Sequence, residues 1–160
     1  MGASGWSYLV LYQPDINKAL QELRRKVFED GDYYKPIEWY KLLYARGILN
    51  EKGLNDRLRK LESEPQPKTI QELIQLRGHE GTHSIIDIEG VSSVPGFKII
   101  SPLTPLEFTD IFGTDGPTHE MIKQKAEELQ VLRDQWQGIY VVVYKNGLPD
   151  EIFFTGFSGD

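Results

Sequence analysis

Ile139-Tyr140-Val141-Val142-Val143-Tyr144-Lys145, then Asn146-Gly147, then Leu148-Pro149-Asp150-Glu151-Ile152-Phe153-Phe154-Thr155-Gly156-Phe157 reads as a β-hairpin. β-Branched and aromatic residues fill both arms, and Asn-Gly accepts the two positive φ angles of a type I′ turn. Counting back from a two-residue turn sets Val141 opposite Ile152 and Val143 opposite Asp150. One face then carries Ile139, Val141, Val143, Ile152 and Phe154 and is expected to be core. The other carries Tyr140, Val142, Tyr144, Glu151 and Phe153, which is more aromatic than a solvated face requires. It is expected to lie partly under a helix or to meet a partner.

Working outward, Ser7 to Tyr12 alternates in the same way and predicts a strand beside the hairpin. It resembles residues 139–145, but the flanking segments do not match, so an internal repeat is set aside. Between these ends lies a largely helical stretch. Ile16, Leu20, Leu23 and Val27 form an i, i+4, i+7, i+11 stripe capped by Asp15. Pro36 suits a first helical position, and Trp39, Leu42 and Leu43 follow at helical spacing up to Gly47. Leu54, Leu58 and Leu61 mark a third helix, and Thr69 with Glu72 a capping box for a fourth that Gly78 ends. Ser84 to Glu89 and Phe97 to Ile100 read as strands. Thr104-Pro105-Leu106-Glu107 opens a short helix over 105–112. Ile122, Ala126, Leu129 and Trp136 predict a long helix to about Trp136, capped by Thr114 or Asp115.

The sum is one α+β domain over residues 1–160. It is expected to hold an antiparallel sheet of about five strands, with the amphipathic helices starting at Asp15 and Pro117 packed mainly on one face. Glu64-Pro65-Gln66-Pro67 is too short a break to divide the chain.

The chain has no cysteine, which excludes disulfides, thiolate catalysis and iron–sulfur clusters. Eighteen Lys and Arg against 24 Asp and Glu give a net charge of −6, a poor basis for holding nucleic acid and a better one for a basic protein partner. No apolar run approaches membrane-spanning length, and the N-terminal residues lack a signal-peptide pattern. A cytoplasmic protein with no membrane contact is expected.

His79-Glu80-Gly81-Thr82-His83 matches the HExxH pattern, in which a helix aims two imidazoles at one zinc ion and the Glu activates a water. The context argues against a helix, because Gly78 and Gly81 flank the motif and a strand is expected at once. The third ligand of the extended motif is missing, since its positions hold Ile86 and Glu89. His119, in the first turn of the last helix, is the remaining candidate ligand. An extended 83–89 segment would also place Asp87 on the face of His83.

Two functional expectations follow. The first is a non-enzymatic acidic interaction module of regulatory, inhibitor or immunity type, without a cofactor. Its contact residues are sought among Tyr34, Trp39, Tyr140, Tyr144 and Phe153, because Tyr and Trp favour interfaces. The alternative is a small metal-dependent hydrolase or metal-binding protein. It would hold zinc on His79, His83 and His119, with Glu80 or Asp87 as catalytic group.

Overall fold

The computed structural model describes residues 3–159. Five strands, β1 (Gly5–Leu11), β2 (Gly90–Val91), β3 (Ile99–Pro102), β4 (Gln137–Lys145) and β5 (Leu148–Phe157), form one sheet in the order β1-β5-β4-β3-β2. The helices are α1 (Ile16–Glu29), α2 (Pro36–Ala45), α3 (Glu51–Ser63), α4 (Ile70–Arg77), α5 (Pro105–Phe112) and α6 (His119–Gln130). Among the described residues, no helix is long and apolar enough to cross a membrane.

The architecture is α+β, but the sheet is mixed, which corrects the antiparallel expectation. β5 pairs antiparallel with β1 and β4, whereas β4 with β3 and β3 with β2 run parallel. α5 and α6 lie between β3 and β4 in the chain, and such a helical crossover lets the second strand re-enter in the direction of the first. The first strand and the hairpin are neighbours, as their shared pattern suggested.

The helices also cover both faces of the sheet instead of mainly one. On one face, Ala19, Leu20, Leu23 and Val27 of α1 and Leu73 of α4 pack with Trp6, Ile100, Ile152 and Phe154. On the other, Ile111 and Phe112 of α5 and Ile122 and Leu129 of α6 pack with Ile139, Val141, Val143 and Phe153. Each fully buried aliphatic side chain stabilises the fold by about 1.5–3 kcal/mol.

The hairpin register explains why both faces need cover. Asn146 and Gly147 have φ of 52° and 77° and join Lys145 to Leu148, as the turn pair requires. The register then shifts between Val143 and Tyr144, so that Val141 faces Phe153 and Val142 faces Ile152. One added residue moves a set of side chains to the opposite face. Ile152 and Phe154 therefore join Trp6 on the α1 side, and Phe153 joins Val141 on the α6 side. The carbonyl of Asp150, at the irregularity, accepts from Tyr12 N at 2.9 Å.

Three local expectations change. Residues 85–87 form a 3₁₀ turn, because Ser84 Oγ caps Ile86 N and curls the chain before a strand can start. α6 is capped by Thr118, whose side chain accepts from Met121 N, and it ends at Gln130. Trp136 lies beyond it at φ 61°. At α5 the expected capping box is present, with Thr104 and Glu107 bonding reciprocally.

Candidate functional site

The segment from Gly78 to Asp87 is held by its own polar groups. Gly78–Glu80 is a 3₁₀ turn, and Gly81 and His83 have φ of 74° and 53°, so the HExxH residues do not lie on an α-helix. Gly81 is needed here. A Cβ at that position would sit 2.8 Å from Asp87 Oδ2 and 3.1 Å from the Trp136 ring. Asp87 is buried, and Thr82 N donates to both its carboxylate oxygens at 2.9 Å. Thr82 Oγ1 and Ser84 Oγ share a bond of 2.8 Å. The Asp87 carboxylate thus stabilises the loop, and its two oxygens are engaged there.

His83 emerges from this loop half-exposed. Its Nδ1 lies 3.0 Å from Ser4 Oγ, and its ring stacks on Tyr34 with centroids 4.3 Å apart. Tyr34 N in turn donates to Thr82 O at 2.9 Å. Beside the pair opens a cleft of about 410 Å³, walled by Trp6, Tyr8, Asp32, Tyr33, Tyr34 and His83. Burial, then the charge of Asp32, pushes the Tyr8 phenol up to about 12. Burial, then Glu80, raises Tyr34. Both phenols therefore keep their protons at neutral pH. A hydroxyl on an imidazole, as in Ser4 and His83, is the pairing that acyl transfer uses, but the buried Asp87 carboxylate is spent on the Thr82 amide.

The three histidines are placed apart. His79 and Glu80 are exposed on the 3₁₀ turn. His119 is exposed at the start of α6, with Nδ1 3.0 Å from Glu151 Oε2. Glu151 lies near the start of β5, whereas Ser4, the neighbour of His83, accepts from Ser158 N just past its end. At ~3.3 Å per residue, the strand between them spans roughly 20 Å. Among the described residues, no group of three or more His, Asp or Glu is arranged to hold a metal ion.

The expected contact residues divide sharply. Phe153 is core on the α6 side, 6% exposed, and cannot meet a partner. The register shift puts it on the face of Val141, opposite to the face that an unshifted hairpin implies. Tyr140 is half-buried against the α1-side core, where burial raises its pKa. Tyr144 is half-buried, contacts Gly116 and donates its N–H to Pro117 O at 2.8 Å. Tyr34 is committed to His83. Trp39 alone of the five is largely free, 46% exposed on α2.

Around Trp39 the surface is unusual. In α2 every residue except Glu38 and Lys41 is apolar or aromatic, yet no residue of the helix is buried. α3 also buries none, and it leans on α2, with the Arg57 guanidinium 5.1 Å from the Tyr40 ring centroid. Leu42 and Tyr44 are exposed beside Trp39, and Ile48 follows just past the helix. Sequence spacing sets Leu42 on the same stripe as Trp39, but only Trp39 of these residues is sought there as a contact, although a helix apolar all round is itself a signal. Between the α2–α3 hairpin and α4 runs a groove of about 300 Å³, walled by Leu58, Leu61, Pro65, Leu76 and Arg77 among others. The Arg77 Nε is buried and has no hydrogen-bond partner.

Comparison of the chain with protein-family models, with curated proteins and with solved structures finds no match in any of the three.

Proposed function

We propose that the chain is a non-enzymatic, acidic protein-interaction module of the cytoplasm, regulatory, inhibitory or immunity-type in role, and that it binds its partner through the α2–α3 hairpin. The observation that carries this reading is the apolar composition of α2 combined with its lack of a single buried residue. Trp39, Leu42, Tyr44 and Ile48 leave apolar area in water that neither core uses. Such area contributes ~25 cal/mol per Å² when a partner covers it. Trp and Tyr are also the residue types that dominate binding energy at interfaces. The net charge of −6 favours a basic partner.

The test compares immobilised wild type with a Trp39→Glu/Leu42→Glu variant in lysate from the source cells. A protein retained by the wild type and lost with the variant supports the reading. Equal retention by both moves the contact elsewhere, and no retention across a range of salt removes the stable complex.

A further inference from the structure

The outer edge of β1 carries the inference that reaches furthest. Ser158 N donates to Ser4 O, and Tyr12 N donates to Asp150 O, both at 2.9 Å. In an antiparallel pair the N–H and C=O of one residue point the same way and alternate along the strand. Ser4, Trp6, Tyr8, Val10 and Tyr12 therefore turn their backbone groups toward β5. Gly5, Ser7, Leu9 and Leu11 turn theirs outward, and β1 is the last strand on that side of the sheet. Among the described residues, the outward backbone groups of these four take no hydrogen bond from another element, and the Ser7 hydroxyl bonds sideways to Thr155 Oγ1 at 2.8 Å.

Exposed edges of this kind are normally blocked by a charge, a proline, a bulge or extreme shortness. β1 has none of these. It runs for 7 residues, GWSYLVL, in an unbroken register with β5. The first charged residue after it is Asp15. The opposite edge, β2, is only 2 residues long and offers no comparable template. Leu9 and Leu11 are 37% and 81% exposed, on the face that α6 leaves open at this side of the sheet.

We infer that β1 pairs antiparallel with β1 of a second copy of this chain about a two-fold axis, joining the two sheets into one. A two-fold axis sets each residue of the strand, except one on the axis itself, opposite a different residue of the same strand, and because Gly5 to Leu11 carries no charge, no like charges meet across the pair. With the axis at Tyr8, Ser7 lies opposite Leu9 of the second copy and Gly5 opposite Leu11. All four outward residues are then used, and the exposed leucines are brought beside the joined edge. One long edge and one very short edge make this assembly close at two chains instead of growing. Gly5 to Tyr8 also line one side of the cleft that Asp32, Tyr33, Tyr34 and His83 complete. The inference concerns β1 alone and stands apart from the α2–α3 contact.

Sedimentation velocity across a concentration series, with amide exchange read by NMR, tests it. The wild type is expected at twice its 18.4 kDa chain mass, with the Ser7, Leu9 and Leu11 amides protected in the dimer and fast on dilution. Leu9→Lys is expected to weaken association by about tenfold or more, a loss of at least 1.4 kcal/mol. A monomer at every concentration overturns the inference. So does a dimer whose outward β1 amides exchange freely, or one that Leu9→Lys leaves intact while Trp39→Glu/Leu42→Glu abolishes it. Should Leu9→Lys fail to fold, the wild-type amides decide alone.

Discussion

Trp6 and Gly156 are partners across β1 and β5, and the Trp6 indole lies over the glycine and onward to Gly138 of β4. A Cβ on Gly156 would fall 2.8 Å from Trp6 Cζ2, and it would also collide with the Gln137 carbonyl. One on Gly138 would fall 2.7 Å from Trp6 Cη2 and 2.9 Å from Thr155 O. The two glycines form a trough across neighbouring strands, which the ring fills. Gly156→Ala is expected to cost about 2–3 kcal/mol, because the neighbour that must yield is backbone. Urea unfolding should show a lower midpoint at unchanged slope, and an unchanged midpoint would contradict the packing described.

Glu107 ties α5 to the segment after α6. Its two oxygens accept from Arg133 Nη1 and Nη2 at 2.7 and 3.0 Å, and one also accepts from Thr104 N at 2.7 Å. The Arg133 hydrogen bond is the largest influence that holds its carboxyl down at about 2, against 4.5 when unperturbed. A depressed folded pKa contributes stability that is complete above 4.5 and is lost as pH falls from there toward 2. Glu107→Gln should therefore cost about 2 kcal/mol at pH 7 and progressively less below pH 4.5. Melting curves of both proteins at several pH values check this, and parallel curves throughout would remove the ion pair from the stability of the fold.

His83 holds φ 53°, in the left-handed region that β-branched residues avoid. His83→Asn should stay within about 1 kcal/mol of wild type, losing mainly the stack on Tyr34. His83→Val should cost about 1–2 kcal/mol more, from backbone strain. Chemical denaturation of the two variants separates backbone from ring, and equal losses would assign the whole effect to the side chain.

Trp39 and Leu73 test whether α2 contributes to a core. Trp39→Ala should change stability by less than about 1 kcal/mol, whereas Leu73→Ala, at a fully buried position, should cost about 2–5 kcal/mol. A large loss from Trp39→Ala would mean that the indole stabilises the fold, leaving less of α2 for a partner.

The helices and the turn were legible because their signals are local. Asp15, Thr69 and Thr104 each cap the helix that follows, and Asn146-Gly147 makes the tight turn. The register shift was not legible, since Asp150 is used by Tyr12, far away in the chain. That single residue reversed the side assigned to Ile152, Phe153 and Phe154, and with it the picture of one covered face. The segment after His83 reads as a strand by composition, but Asp87 and Ser84 curl it through bonds that no periodicity reports. At the histidines, sequence showed that HExxH was badly placed for a helix. It could not show that β5 separates His119 from His83.

Among the described residues β5 is the last strand in sequence and one of the inner strands of the sheet, paired with β1 on one side and β4 on the other. On the ribosome, β1 therefore waits for this neighbour until the intervening α1 to β4 have been made. Nearly every productive contact of the N-terminal strand spans some 140 residues of sequence, as Ser7 with Thr155 does at |i−j| of 148. Such long closures slow assembly and prolong the life of collapsed, incompletely paired forms. During that interval of synthesis, the uncharged strand from Gly5 to Leu11 is thus open to chaperones and to other unfinished copies of itself.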